Sequence, residues 1–142
     1  MTDIAVRLLK DPADDELRQI LGLMAQADFA DLNDGFQWLR DAVNGSVAAI
    51  IAVDQSNKIV GFARALGDGV SDCYIQDVVV DAACRNMGIG RKLVEFLKDE
   101  LLKRNIDWIG LIATPGNAEF YRKLGFEELE QYTPMCLKKS SR

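Results

Sequence analysis

The sequence predicts an α/β fold (α+β mixed): one central, twisted, mixed sheet of about six to seven strands with helices on both faces. Three observations predict it. Apolar runs of strand length alternate with longer runs whose apolar residues recur at helical spacing. The runs follow the order β-α-α-β-β-β-α-β-α-β-β, which suits neither an all-α nor an all-β architecture. The apolar run 74–80 leads through a glycine turn and a long amphipathic stretch into a second apolar run, 108–113. That is a βαβ unit, whose two strands should be parallel and neighbours or near neighbours. Residues 1–142, 49% hydrophobic and 27% charged, fit one globular domain around a single core.

Each element has its own warrant. Residues 4–9 form a short apolar strand. Asp11-Pro12 reads as a helix N-cap with proline at the first helical position, and Leu17, Ile20, Leu21 and Met24 then recur at helical spacing, predicting a helix over 12–27. A second short helix fits 34–43, stopped by Asn44-Gly45. The Val/Ala/Ile-rich run 46–53, the turn cluster Asp54-Gln55-Ser56-Asn57 and the run 59–66 make a hairpin. After the turn Gly67-Asp68-Gly69 comes the strand 74–80. The longest helix runs from Gly88 to about Arg104, with Ile89, Leu93, Leu97 and Leu101 on one stripe and Lys92, Glu95, Lys98, Asp99 and Lys103 on the wet side. The strand 108–113 follows. A short helix, 118–124, is closed by Gly125, and 126–129 and 133–138 read as a closing pair of strands. Residues 138–142 form a polar tail.

Composition excludes several classes of function. The formal net charge is −5, which argues against a nucleic-acid partner. Cys73, Cys84 and Cys136 show no CxxC spacing, and the chain has no histidine. No metal site is therefore expected. Neither a Ser-His-Asp nor a Cys-His arrangement can be built. Any catalyst must draw on carboxylates, tyrosine, lysine, cysteine, water or backbone groups. Unclustered cysteines suggest a reducing compartment. No basic n-region followed by an apolar run opens the chain, and no window reaches membrane-spanning length. The expected location is the cytoplasm, with no membrane partner.

The stretch Arg85-Asn86-Met87-Gly88-Ile89-Gly90 carries the chemistry. It sits between a strand and a helix start, where glycines leave backbone N–H groups uncovered at the positive end of a helix. A dinucleotide fingerprint would need a third glycine where Leu93 stands. A Walker A loop would need Gly-Lys followed by Ser or Thr, and Gly90 is followed by Arg91-Lys92-Leu93. The alternatives are an ordinary tight turn whose glycines relieve strain, or a cradle for a phosphate-bearing ligand. Arg91 and Lys92 in the first helical turn oppose the helix dipole unless an anion is bound there, which favours the cradle.

Three segments together resemble the GNAT superfamily of acetyl-CoA-dependent N-acetyltransferases: Ile75-Gln76-Asp77-Val78-Val79-Val80-Asp81, the Arg85–Gly90 turn, and Phe120-Tyr121-Arg122-Lys123-Leu124-Gly125-Phe126. The resemblance covers nearly the whole chain and implies the GNAT acyl-CoA acyltransferase fold. The first and third segments are similar to those of small acetyltransferases acting on amino sugars and arylalkylamines. The implied cosubstrate is acetyl-CoA, with no metal. Its pyrophosphate would be gripped by backbone N–H groups of Arg85, Asn86, Met87, Gly88, Ile89, Gly90 and Arg91, with charge from Arg85, Arg91 and Lys92. The backbone of Val78, Val79 and Val80 would bind the pantetheine arm, in a cleft where strands 74–80 and 108–113 splay apart. Asn117 would cap the short helix or touch that arm. The resemblance also implies a homodimer built through the sheet edge or the C-terminal strands.

The implied reaction moves an acetyl group to a small-molecule primary amine by direct attack within a ternary complex. Alternatives are acetylation of a protein N-terminus or lysine, or a non-catalytic acyl-CoA-binding regulatory module. Attack of an amine on a thioester needs an oxyanion donor, for which an N–H near Val79 is the candidate, and a proton for the departing sulfur. Tyr121 is the candidate acid, against the alternative of a core aromatic. Asp77 interrupts an apolar strand, where an unpaired charge is costly. It is either a proton acceptor or cation partner, or one half of an ion pair that secures the sheet. Strand alternation sets Asp77 on the face opposite Tyr74 and Gln76, unless a bulge intervenes. Phe29, Phe36, Trp38, Tyr132 and Met135 are apolar candidates for the acceptor pocket. Cys84, just before the turn, reads as a structural thiol.

Overall fold

Residues 3–137 of the computed structural model are described. Their sheet has five strands in the order β1-β2-β3-β4-β5. These are β1 (Ala5–Leu8), β2 (Ala48–Val53), β3 (Ile59–Gly67), β4 (Asp72–Val80) and β5 (Trp108–Gly110). The first four pair antiparallel in succession, and β4 with β5 is parallel, which makes the sheet mixed as expected. The helices are α1 (Asp14–Gln26), α2 (Gln37–Asn44), α3 (Ile89–Lys103) and α4 (Ala118–Arg122), with short 3-10 turns at Leu32–Asp34 and Ala82–Cys84.

Burial explains the unbroken apolar runs. Every residue of β2 is buried, as are seven successive residues of β3. Both faces of these strands are covered, so neither face keeps a polar alternation. On one face, Leu17, Ile20, Met24, Leu39 and Val43 of α1 and α2 pack on Ile51, Phe62 and Val79. On the other, Ile89, Leu93, Leu97 and Leu101 of α3 pack on Ile50, Ala52, Ala63 and Ile75. The stripe read from the sequence is the stripe that is buried. Removing each such side chain from water contributes roughly 1.5–3 kcal/mol.

The helix starts differ in detail. α1 begins at Asp14, two residues after the proline, and Asp11 lies in the left-handed region at φ 48°. The cap is provided from inside the helix: Glu16 Oε1 accepts the N–H of Ala13 at 2.9 Å. The helix expected over 34–43 is interrupted, because Gly35 at φ 71° separates the 3-10 turn from α2. The β2–β3 hairpin forms as expected. Asp54 Oδ1 accepts the N–H groups of Ser56 and Lys58 in its loop, and Asn57 takes the left-handed position at φ 63°.

The C-terminal part departs from expectation. β5 spans Trp108–Gly110 rather than 108–113, and Leu111 onward is irregular. The closing pair of strands is absent among the described residues, where 126–137 is turn and irregular chain. Leu129, Tyr132, Met135 and Leu137 are all exposed. The physical reason is the lack of a partner: β5 ends too early to offer an edge, Pro134 lacks a donor N–H, and an isolated strand pair without a packed face is not stable. This leaves five strands where six to seven were expected. Lys138 and the polar tail lie outside the described residues.

Candidate active site

The site is organised by two irregularities in β4. The first is a bulge. In the β3–β4 pairing Phe62 faces Val79 and Arg64 faces Gln76, so Ala63 alone stands opposite both Asp77 and Val78. Asp77, the first of the two bulged residues, takes φ 58°, the left-handed conformation found in one type of such bulge. The bulge resets the alternation. Phe62 packs on the α1 side, so Arg64, two residues on, projects to that side too. Asp77 meets it there: Arg64 Nε donates to Asp77 Oδ2 at 2.6 Å, with both side chains at least nine-tenths buried. Gln76, paired with Arg64, shares that side. Asp77 therefore joins Gln76 instead of opposing it.

The second irregularity is a split. β5 pairs only with Asp72, Cys73 and Tyr74. From Ile75 to Val80, β4 has no strand partner on that edge among the described residues, and this stretch lines an open cleft of about 610 Å³. Val78, Val79 and Val80 line one wall, with Leu111, Ile112, Thr114 and Asn117 opposite. At one end lie Cys84, Arg85, Asn86, Gly88, Ile89, Gly90 and Arg91. Phe120 and Tyr121 of α4 close over it, and Leu23, Ala27, Phe29, Gln76 and Asp77 line the α1 side.

The turn at the cleft's end is held from three directions. Asp81 N–H donates to Val60 O at 2.9 Å. Asp81 Oδ1 accepts the N–H of Ala83 at 3.1 Å, and Lys58 Nζ lies 3.6 Å from Oδ2. Gln26, the last residue of α1, accepts the N–H of Ala82 at 2.9 Å. The Ala83 N–H holds the Asp81 carboxyl below its ordinary value, against the opposing effect of burial. Gly88 then takes φ 77° at the N-cap of α3, and no side chain caps that helix. Its first-turn N–H groups are thus left for solvent or ligand. The two glycines differ. Gly88 is required by its backbone. Gly90 is not, since a Cβ there would meet Phe120 at 3.4 Å and Val80 at 3.7 Å, ordinary contact distances. Relief of strain accounts for one glycine of the turn and not the other.

Tyr121 is half-buried, edge-on to Phe120 and Phe126 with ring centroids 4.9 and 5.9 Å away. Burial pushes its phenol above the ordinary value, keeping it protonated. Its hydroxyl donates to no acceptor among the described residues. No buried polar side-chain atom there lacks a partner, so the hydroxyl reaches open space. Lys98 Nζ donates to Leu124 O at 3.0 Å and ties the turn that follows α4 to α3.

The structure brings most of the sequence-predicted residues to one cleft. Met87 and Lys92 are exceptions: both are exposed on the turn and first helical turn, and neither lines the cleft. Asn117 stands at the N-cap position of α4, but its side chain does not cap; Nδ2 donates to Thr114 Oγ1 at 2.6 Å. Of the apolar acceptor candidates, Phe29 lines the cleft, while Phe36, Trp38, Tyr132 and Met135 do not. Phe36 instead lies under the Arg18 guanidinium, 5.1 Å from its ring centroid. Leu23 and Ala27 also line the cleft, though in the sequence they carry only the ordinary signal of core helix positions; for Arg64 the signal in the sequence is its place inside an apolar strand. No group of metal-ligating side chains occurs among the described residues. No helix among them is long and apolar enough to cross a membrane.

The sheet is thus mixed and splits between β4 and β5 beside a glycine turn at a helix start. The family described as Acetyltransferase (GNAT) domain matches residues 46–128, and the chain belongs to it. It is similar to serotonin N-acetyltransferase 2, chloroplastic, of Oryza sativa subsp. japonica: 38% identical over 89 residues, 63% of this chain and 40% of that protein. It is also similar to histone acetyltransferase TAP1 of Glycine max, 40% identical over 74 residues, 52% of this chain and 32% of that protein. The chain thus spans less than half the length of these two relatives. Among solved structures, a Trypanosoma brucei acetyltransferase superposes with a TM-score of 0.76 at 23% identity, covering 95% of this chain and 100% of that one. This likeness establishes the shared fold.

Proposed function

We propose that the protein transfers the acetyl group of acetyl-CoA to the primary amine of a small molecule by direct attack. The observation that carries this reading is the continuous cleft from the Arg85–Arg91 turn, past the free edge of β4, to Tyr121 and Asp77. The residues fit acetyl-CoA. The uncapped start of α3, with Arg85 and Arg91 beside it, suits the pyrophosphate. The unpaired β4 edge offers peptide groups to the amides of the pantetheine arm. Acetyl-CoA supplies an activated acyl group as a thioester.

The chain's own groups supply the rest. An N–H of the Val78–Val79 region polarises the carbonyl oxygen and holds the oxyanion. Tyr121 keeps its proton at neutral pH and gives it to the departing sulfur. The α1 side of the cleft, with Leu23, Ala27 and Phe29 beside Gln76 and Asp77, suits an amine on an apolar body. Among the described residues, the basic side chains lining the cleft are Arg85 and Arg91, both at the turn, which disfavours a phosphorylated acceptor. The test is a thermal shift with acetyl-CoA followed by thiol release with an arylalkylamine and amino-sugar panel. Absence of any acyl-CoA stabilisation sinks the reading.

A second reading, acetylation of a protein N-terminus or lysine, draws support from the soybean relative's name. Histone-tail and N-terminal peptides in the same panel separate the two. We place the protein in a reducing compartment, since Cys73, Cys84 and Cys136 are all free thiols; fractionation tests the cytoplasm against a plastid. We also propose a homodimer, supported by the exposed apolar side chains of Ile112, Met135 and Leu137. Sedimentation equilibrium tests it.

A further inference from the structure

We propose that Arg64 is the positioning residue of the acceptor site. It tethers one oxygen of Asp77 so that the other is presented to the attacking nitrogen. The inference rests on the transferase reading above and adds a residue that lies outside the cleft.

Three observations carry it. First, the pair is built in: Arg64 Nε to Asp77 Oδ2 is 2.6 Å, and Arg64 is one of only two buried charged or polar residues among those described. Second, the tether is anchored behind. Arg64 Nη1 donates to Ser46 Oγ at 3.4 Å, and Ser46 Oγ donates to Ala42 O in α2 at 2.7 Å. The guanidinium is therefore fixed to the end of α2 as well as to the bulge. Third, Asp77 is held by one oxygen only. Oδ1 accepts no hydrogen bond among the described residues, yet no buried polar side-chain atom there is unpartnered. Oδ1 consequently reaches open space, and Asp77 lines the cleft beside Gln76.

A pair that served only to tie β3 to β4 gains most when both carboxylate oxygens are bonded, as in a bidentate fork. Here the fork is turned so that one oxygen is left over, and the left-handed backbone at Asp77 holds that orientation. The leftover oxygen suits a nitrogen that becomes positive during reaction. As the amine lone pair forms the C–N bond, the C–S bond breaks. The nitrogen's proton passes to Asp77 Oδ1, and the thiolate takes a proton from Tyr121. Asp77 then loses its proton to solvent and the Tyr121 phenolate regains one from solvent, so the products are amide and free thiol and both residues are restored.

The test compares Asp77→Asn, Arg64→Lys, Arg64→Met and the double variant Arg64→Met/Asp77→Asn. Readouts are kcat and KM with acetyl-CoA and 2-phenylethylamine, or the panel amine acetylated fastest. Calorimetry adds the affinity for acetyl-CoA and the affinity of that amine for the protein–CoA complex. Asp77→Asn keeps an acceptor for Arg64 and should fold. It should lower kcat/KM for the amine by about 100-fold and weaken amine binding, with acetyl-CoA affinity unchanged. Arg64→Met should lose at least about 10-fold, Arg64→Lys should recover part of it, and the double variant should be no slower than Asp77→Asn, because the two residues act as one unit. If Arg64→Met does not fold, Arg64→Lys and Asp77→Asn still decide. A folded Asp77→Asn with wild-type kcat/KM and amine affinity makes the pair merely structural and overturns the proposal, as do additive losses in the double variant. A wild-type protein that releases no CoA with any amine overturns the transferase reading itself, a result distinct from an active wild type with indifferent variants.

Discussion

Gln26 accepts the Ala82 N–H at 2.9 Å across 56 residues of sequence, so the last residue of α1 sets the start of the ligand turn. Asp81 completes the junction by accepting the next N–H, that of Ala83. α1 thus reaches both ends of the cleft: Leu23 and Ala27 line the α1 side and Gln26 steadies the turn. Asp81→Ala removes the turn's cap and the Lys58 partner, which should cost about 1–2 kcal/mol of stability and weaken acetyl-CoA binding. Gln26→Leu should weaken binding with a smaller loss of stability. Melts with and without acetyl-CoA separate the two effects. Acid should act in the same direction. The Asp81 carboxyl is depressed in the fold, so its contribution is present above the ordinary carboxylate value and fades as pH falls through the lowered one. Asp81→Asn should flatten that part of the acid melt.

Tyr121 gives a pH prediction with a definite sign. Burial raises its phenol above the ordinary value of 10.0, so the proton-donating form persists throughout the neutral and mildly alkaline range. A kcat profile should therefore show its alkaline fall above that value. Tyr121→Phe should lower kcat by about 100-fold, remove that limb, and leave acetyl-CoA affinity intact. The ring still packs against Phe120 and Phe126, so stability should be nearly unchanged. A phenylalanine variant with full kcat would reassign Tyr121 to packing.

The legibility of the chain divides at β5. Up to the end of α3, apart from the break at Gly35 and the bulge at Asp77, the elements are readable because local patterns and burial agree there. Ile89, Leu93, Leu97 and Leu101 recur at helical spacing and are fully buried, and the hairpin's turn residues sit where a turn needs them. The C-terminal strands were misread because 126–129 and 133–138 carry a strand-like composition, whereas a strand exists only where an edge is available to pair with it. The bulge at Asp77 was visible only as an anomaly, a carboxylate in an apolar run. Its consequence, moving Asp77 to the side of Gln76, needs the register of Ala63 against two residues, which composition does not encode.

The α3 stripe supports both the sheet and the turn, which makes it a useful control. Leu97 is fully buried among β-strand side chains midway along the helix. Leu97→Ala should destabilise by about 3 kcal/mol, within the range for buried leucines. For a chain of this size that corresponds to a fall in Tm of roughly 10 °C. At a temperature where the variant is folded, acetyl-CoA affinity should be close to wild type. A large loss of affinity would mean that the helix start moves with its middle.

Gly90 separates fold from ligand most cleanly. A methyl group there meets Phe120 and Val80 only at ordinary contact distances, and the position lies in the first turn of α3, where alanine is the better helix former. On the protein's own account, Gly90→Ala should be neutral or stabilising by up to about 1 kcal/mol. If glycine is present so that a pyrophosphate can approach the backbone, the same change should weaken acetyl-CoA binding by about 10-fold, and Gly90→Val by more. Gly88→Ala provides the contrast. At φ 77° a side chain is strained, so that variant should lose stability by about 1 kcal/mol even without ligand. A thermal melt and an acetyl-CoA titration on the three variants decide the matter. Unchanged affinity in Gly90→Ala and Gly90→Val would show that the ligand does not approach the turn at that residue.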